Sequence, residues 1–332
     1  MRTLYLGSVV ERSGKSMVGL GLAINHPGPV GYFKPFKERL ICEGERIIDQ
    51  DAYLMRKTLK LDHDEDEICP FFYDLMSPIG MGNIINAYDK VRCDCELMLV
   101  EGTRDITTGY LHDLSGMAIA ERLKADVVLV STTQPGDLDR IAMLKQLMDG
   151  YELNFLGVIL NMTDDPAPVR LLEKKGVRVL GTIPPMEQLT RFTVKEVREA
   201  LGAEVIVGEE RLDRTVQRVM VGAMMPETAL RTMRRYADKA IITGGDRTDI
   251  QMAALSTDTS CLVLTGGFYP DGQVVSRAYE KGIPILLTRH DTLEATERVE
   301  HLIARIDPDD KKKLAMIKKA VKDHVDLEVL FS

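Results

Sequence analysis

The chain alternates between short, uninterrupted apolar runs and longer stretches in which apolar positions recur at helical spacing. Leu4-Tyr5-Leu6, Pro29-Val30-Gly31-Tyr32-Phe33, Leu97-Met98-Leu99-Val100, Val127-Val128-Leu129-Val130, Leu156-Gly157-Val158-Ile159-Leu160 and the stretch Gly176 to Pro184 are of the first kind. Such runs predict strands buried on both faces. Helices are predicted from Met17 onward, over 49–60 with acids in the first turn, between Ile84 and Lys90, over 114–124 and over about 137–149. In the second of these, Asp49 and Asp51 suit the positive end of the helix dipole. The acidic segment His63 to Glu67 reads as a solvated loop. Strands alternating with helices predict a parallel sheet covered on both faces.

The pattern changes over 186–206, where charged, helix-forming residues run without a strand, so a boundary is placed near 205. A second alternation follows. Leu212 to Met220 reads as a strand or short helix, and Glu227 to Tyr236 as a helix after Pro226, a residue suited to a first helical position. Strands are predicted at 239–242, 261–264 and 283–287, with a helix at about 249–255 and a basic helical tail at about 293–323. The Lys311 to Lys322 cluster reads as a solvated helix face. The expected organisation is a domain over 1–205 and a smaller α/β domain over 206–325.

Composition narrows the partners. At 332 residues two domains are the prior, and 45% hydrophobic with 28% charged residues is ordinary for a globular protein. A net charge of -8 argues against a nucleic-acid partner, whose footprint is basic. No uncharged apolar run approaches the ~20 residues that span a bilayer, so no membrane partner is expected. The first strand begins so close to the N-terminus that no leader is expected either, and the expected location is cytoplasmic. The five cysteines are scattered, and Cys93-Asp94-Cys95 has no second pair at ligand spacing, so they read as thiols.

The candidate chemistry begins at the first strand. Leu4-Tyr5-Leu6-Gly7 leads through a loop into Gly14-Lys15-Ser16 and an apolar helical run. Strand, loop, Gly-Lys-Ser and helix form the layout of a phosphate-binding loop. Gly14 lets backbone approach a phosphate, Lys15 neutralises the β/γ-phosphates, and the Ser16 hydroxyl holds Mg²⁺. The glycine that the standard pattern places five residues before Gly14 is Val9 here, and the alternative is a strand-to-helix turn that merely contains these residues. Glu101 follows the strand at 97–100, at the carboxyl end where open α/β sheets bind ligands. In the second half, Gly244-Gly245-Asp246-Arg247 and Gly266-Gly267 each follow a strand. They read equally as tight turns, with Asp246 and Arg247 at a subunit contact, or as one ligand pocket at a sheet edge.

Taken in order, the loop ending in Ser13-Gly14-Lys15-Ser16, Gly31-Tyr32-Phe33-Lys34-Pro35, Asp51 opening its helix, Leu99-Val100-Glu101-Gly102 and Gly157-Val158-Ile159-Leu160-Asn161 resemble dethiobiotin synthetase and related amidotransferase synthetase domains over roughly 3–190. The resemblance implies a P-loop NTPase-type fold that binds ATP and Mg²⁺. Lys15 and Lys34 would serve phosphoryl transfer, Ser16, Asp51 and Glu101 the metal, and Asn161 the adenine. Two stretches depart from that family's substrate side. Lys37 and Glu38 lie where it has a small hydroxyl residue and glycine, and bulky Thr103-Arg104-Asp105 follow Glu101-Gly102. Val219 to Met224, Thr243-Gly244-Gly245-Asp246-Arg247-Thr248-Asp249-Ile250 and Leu264-Thr265-Gly266-Gly267 resemble the DRTGG domain. The pair of modules is similar to the regulatory N-terminal part of long phosphotransacetylases, here expected as a free-standing form. The resemblance implies an Mg²⁺-dependent ATP-binding protein that senses a metabolite and reports to a partner enzyme. The alternative is an ATP-dependent, carboxylate-activating synthetase acting on a small molecule. A homo-oligomer is expected, with Asp246 and Arg247 in a second ligand site.

Overall fold

The computed structural model describes all residues except 44, 45, 93, 152, 304 and 305, and only the backbone of 42, 43, 301 and 303. Cys93 therefore lies outside the described residues, while Cys69, Cys95 and Cys261 are free and buried. The chain divides into two compact units, Met1–Pro185 with Ile306–Ser332, and Met186–Arg305.

The first unit holds β1 (Arg2–Ser8), β2 (Val30–Phe33), β3 (Leu40–Glu43), β4 (Arg46–Asp49), β5 (Leu97–Glu101), β6 (Asp126–Ser131), β7 (Phe155–Asn161) and β8 (Val179–Ile183). Six of these make a parallel sheet in the order β2-β5-β1-β6-β7-β8. β1 lies between β5 and β6, pairing Leu4 with Leu99 and with Asp126, and is buried along nearly its whole length. Both faces are covered. Tyr5, Met98 and Val100 pack with Ile84, Met117 and Ile141 from helices Met81–Val91, Gly116–Arg122 and Pro135–Met148. On the other face, Leu6 and Leu99 lie beneath Gly19 of the helix Lys15–Asn25. β3 and β4 form an antiparallel hairpin outside the sheet. Leu40 and Ile47 stay exposed there, which is why apolar periodicity does not announce it.

Two sequence expectations are corrected in this unit. His63 to Glu67 is not a solvated loop. Asp64 caps the short helix Glu65–Ile68 with a full capping box closed by Glu67, and buried Glu65 takes Arg56 Nη1 at 2.7 Å. The basic tail does not stay with the second half either. Its helix Lys311–His324 lies on the helix Lys15–Asn25, where a Cβ on Gly21 would run into Val321. Val325 bridges Gly181, Asp326 N donates to Leu180 O at 2.7 Å, and the Arg2 guanidinium donates to the carbonyls of Val329, at 3.3 Å, and Ser332.

The second unit begins before the expected boundary. Thr193 and Glu196 form a capping box for the helix Val194–Leu201, whose Val194, Val197 and Leu201 enter the second core. It holds β9 (Phe192–Thr193), β10 (Glu204–Val207), β11 (Thr215–Val216), β12 (Arg218–Val221), β13 (Lys239–Gly244), β14 (Thr259–Thr265) and β15 (Ile285–Leu287). The sheet order is β10-β15-β14-β13-β12, with β10 antiparallel to β15 and the rest parallel. Alternation along β13 sends Ala240 and Ile242 to one core and Ile241 to the other.

Candidate phosphate and metal site

β1 delivers the chain to the phosphate loop, and Gly14 turns it at φ 87° into the helix Lys15–Asn25. That left-handed conformation, and the Asn161 amide lying where a Cβ would sit, require glycine. The first intrahelical bond runs from Val18 N to Gly14 O at 3.0 Å, so the preceding N–H groups point out of the open end of the helix. Such an end suits an anion. Asn161, at the end of β7, donates to Ser13 O at 2.8 Å, and the Ser8 and Ser13 hydroxyls meet at 3.0 Å. In this state Asn161 braces the loop. Val9 is buried in the apolar core beside the sheet, and its N–H bonds Val130 O at 3.1 Å, one step past the end of β1.

The charged groups converge from four segments. Lys15 donates to the carbonyls of Gly102 and Thr103, the latter at 2.7 Å, and its ammonium lies 3.9 Å from Glu101 Oε1. Ser16 Oγ donates to Glu101 Oε1 at 2.7 Å, and Tyr32 OH to Glu101 Oε2 at 2.8 Å. Lys34, just past β2, donates to Asp51 Oδ2 at 2.7 Å and to both oxygens of Asp49 at 3.1 and 3.0 Å. All five charged side chains are buried.

Burial pushes the Lys15 ammonium below the usual lysine range, against the pull of Glu101 and Glu38. Burial also works against the charge on Lys34, but Asp51 and Asp49, with Glu101 behind them, hold it well above that range. Asp51 is desolvated too, yet Lys34, with Arg39 and Lys15 beyond it, brings its pKa down to about 2. Glu101 moves the other way, raised by burial and by Asp51 across from it.

Among the described residues no group of three or more His, Cys, Asp or Glu could cage a metal. Mg²⁺ does not need one. It binds through one or two carboxylates with substrate phosphates and water, and Ser16, Asp51 and Glu101 are hard oxygen donors of that kind beside the loop. The set fits the ion. Sequence reasoning had read Asp49 as a dipole partner only. Its position two residues before Asp51, at the end of β4 after Ile47-Ile48, was the available signal.

On the expected substrate side the two departing stretches touch each other. Glu38 Oε1 accepts from Arg104 N at 2.6 Å, and Lys37 Nζ pairs with Asp66 Oδ1 at 2.5 Å.

In the second unit the two glycine turns do lie side by side at the carboxyl ends of β13 and β14. Gly245 N donates to Thr265 O at 3.2 Å, and a Cβ on Gly245 would meet Phe268 O. Arg247 is engaged by Asp249, through Nε at 3.0 Å, and by Met224 O at 3.2 Å, while Asp246 is exposed. Gln251, fully buried beneath the turn, donates to the carbonyls of Gly244 and Gly245 at 3.0 and 2.9 Å.

Comparison with known proteins decides the family. Residues 2–193, more than half of the chain, match the AAA domain. The chain belongs to that AAA domain family. Residues 196–302 match the DRTGG domain, so both modules expected from the sequence are present. The chain is similar to the phosphate acetyltransferase of Synechocystis sp., 26% identical over 344 residues that cover 94% of this chain and 49% of that protein. It is similar to the ATP-dependent dethiobiotin synthetase of Nitrosopumilus maritimus, 23% identical over 217 residues covering 59% of this chain and 95% of that one. The chain thus spans about half the length of the phosphate acetyltransferases it matches. Among solved structures, the chain is similar to a ParA family ATPase from Chlorobium tepidum, with a TM-score of 0.39 and 16% identity over 57% of this chain and 85% of that one. Among the described residues no helix is long and apolar enough to cross a membrane.

Proposed function

We propose that the chain is an Mg²⁺-dependent ATP-binding protein whose AAA domain holds the nucleotide for regulation or metabolite sensing. The observation that carries this reading is the convergence of Lys15, Ser16, Asp51, Glu101 and Lys34 around the open end of the helix Lys15–Asn25. Open N–H groups and two ammonium groups suit the phosphates, and the hydroxyl with two carboxylates suits the ion that bridges them. The Glu38–Arg104 bond favours sensing over synthesis, because it ties together the two loops that would flank a second substrate. Asp246 and Arg247 belong to a second ligand site in the DRTGG domain, which we take, within the unit Met186–Arg305, to assemble a homo-oligomer and report to a partner enzyme.

A second reading keeps one observation on its side. Lys34 is held as a full cation beside Asp51, the placement wanted for charge that develops during phosphoryl transfer to a carboxylate. Two measurements separate the readings. Calorimetry with ATP should show Mg²⁺-dependent binding, and Glu101→Gln should weaken binding with Mg²⁺ several-fold more than binding without it. If both change alike, Glu101 is not a metal ligand. Phosphate release that stays slow with every carboxylate and amine tried supports sensing; turnover stimulated by one of them establishes the synthetase.

A further inference from the structure

Asp49 does more than a helix cap requires. Its carboxylate is fully buried and serves three segments at once. Oδ1 accepts from the N–H groups of Asp51 at 3.0 Å and Ala52 at 3.1 Å, which is the capping function for the helix Gln50–Leu59. Oδ2 accepts from Glu38 N at 2.9 Å and Arg39 N at 3.3 Å, fixing the loop after Lys34-Pro35. Both oxygens also receive the Lys34 ammonium.

Lys34 therefore has two carboxylates at hydrogen-bond distance, Asp49 and Asp51, with Glu38 Oε2 farther off at 3.9 Å. Only Asp51 is placed as a metal ligand. If Asp51 turns toward an ion, a Lys34 with no other partner would be left as an isolated charge out of water, a strongly disfavoured state. Asp49 removes that obstacle, because Lys34 stays paired and stays where it is. We propose that Asp49 is a positioning residue of the site: it anchors Lys34 so that the Asp51 carboxylate is free to exchange its lysine for Mg²⁺. The inference rests on the reading of Asp51 as a metal ligand.

The test uses the full chain with Asp49→Asn. Asparagine caps a helix as well as aspartate does, so the cap is retained while the charge is removed; its Nδ2 cannot accept the Glu38 and Arg39 N–H bonds that Oδ2 takes, and the thermal control reads that loss. Lys34 then keeps Asp51 as its one carboxylate at hydrogen-bond distance, with Glu38 at 3.9 Å, and Mg²⁺ must compete with a strengthened charge-assisted hydrogen bond. ATP binding is titrated against Mg²⁺ by calorimetry, with thermal unfolding as the control. The expected result is a Mg²⁺ midpoint raised roughly tenfold, the worth of such a bond. Repeating the pair in a Lys34→Met background should abolish the shift, since the coupling runs through Lys34. Asp49→Ser, another good cap, replaces the asparagine variant if that chain does not fold. An unchanged midpoint, or a shift that persists without Lys34, overturns the proposal while leaving the metal site standing. ATP affinity that ignores Mg²⁺ in the unaltered chain overturns both.

Discussion

In the AAA domain, Lys15, Lys34, Asp49, Asp51 and Glu101 are withdrawn from water and joined to one another. In the DRTGG domain, Asp246, Arg247 and Asp249 also gather at a strand end, but they remain in solvent, with Arg247 and Asp249 paired at 37% and 46% side-chain exposure. Both constellations follow a parallel strand, and both were visible as charge after glycine or after an apolar run. The difference lies in what each charge costs. A buried set must be closed, because any member without its partner is an uncompensated charge. An exposed set is screened by water and rearranges cheaply. The first is thus a rigid frame that changes only by exchanging partners, and the second is a surface that a ligand can reorganise.

The sharpest way to test that contrast is Lys15→Ala. It should lower ATP affinity at least about tenfold, the worth of a charge-assisted contact to phosphate, read by calorimetry. Equal affinity in both chains would remove the phosphate loop from the argument.

A smaller effect is expected in acid. The Asp51 pKa is depressed from 3.8 to about 2, so its contribution to stability is present above the unfolded value and is lost as pH falls toward 2. Glu101 has the opposite sign, since its pKa is raised and stability is lost as pH climbs from its ordinary value to the raised one. Asp51→Asn should therefore flatten the loss of stability between about pH 4 and pH 2, measured as urea midpoints across that window. A slope as steep as that of the unaltered chain would show that the acid sensitivity arises elsewhere.

The smallest effect belongs to Arg247→Ala. Its ion pair lies in water, so the thermal midpoint should not move measurably. A clear fall would mean the DRTGG turn is braced like the AAA site, and the contrast would dissolve.

How much was legible follows the range of the interactions. Gly14-Lys15-Ser16 and Glu101 could be placed because local pattern fixes them: a strand, a turn, an acid at a strand end. The capping boxes at Asp64–Glu67 and Thr193–Glu196 were equally local, yet charge density masked the first, and a helix-forming context hid which core the second would serve. Asp49 looked like any acid at a helix start, because its second oxygen is committed to residues outside its own helix. The return of the tail was illegible for a stronger reason. Asn25 donating to Lys318 O at 2.9 Å, and His26 meeting Phe331 edge-on at 4.9 Å, join residues about three hundred positions apart, and no periodicity in either segment encodes its mate.

That return has a consequence in time. Chains emerge from the ribosome at roughly 5–20 residues per second, and N-terminal domains generally fold first. Here Met186–Arg305 is interposed between the body of the first unit and its closing piece, Ile306–Ser332. The helix Lys15–Asn25 carries the phosphate loop at one end and the Gly21 notch for Val321 on its flank. For on the order of ten seconds of synthesis that notch stays bare while the whole second unit is made. The usual order is inverted: the later unit is whole while the earlier one is still waiting for its last helix. A chain cut at 205 would carry every residue proposed for the phosphates and the metal and still lack the piece that covers its helix.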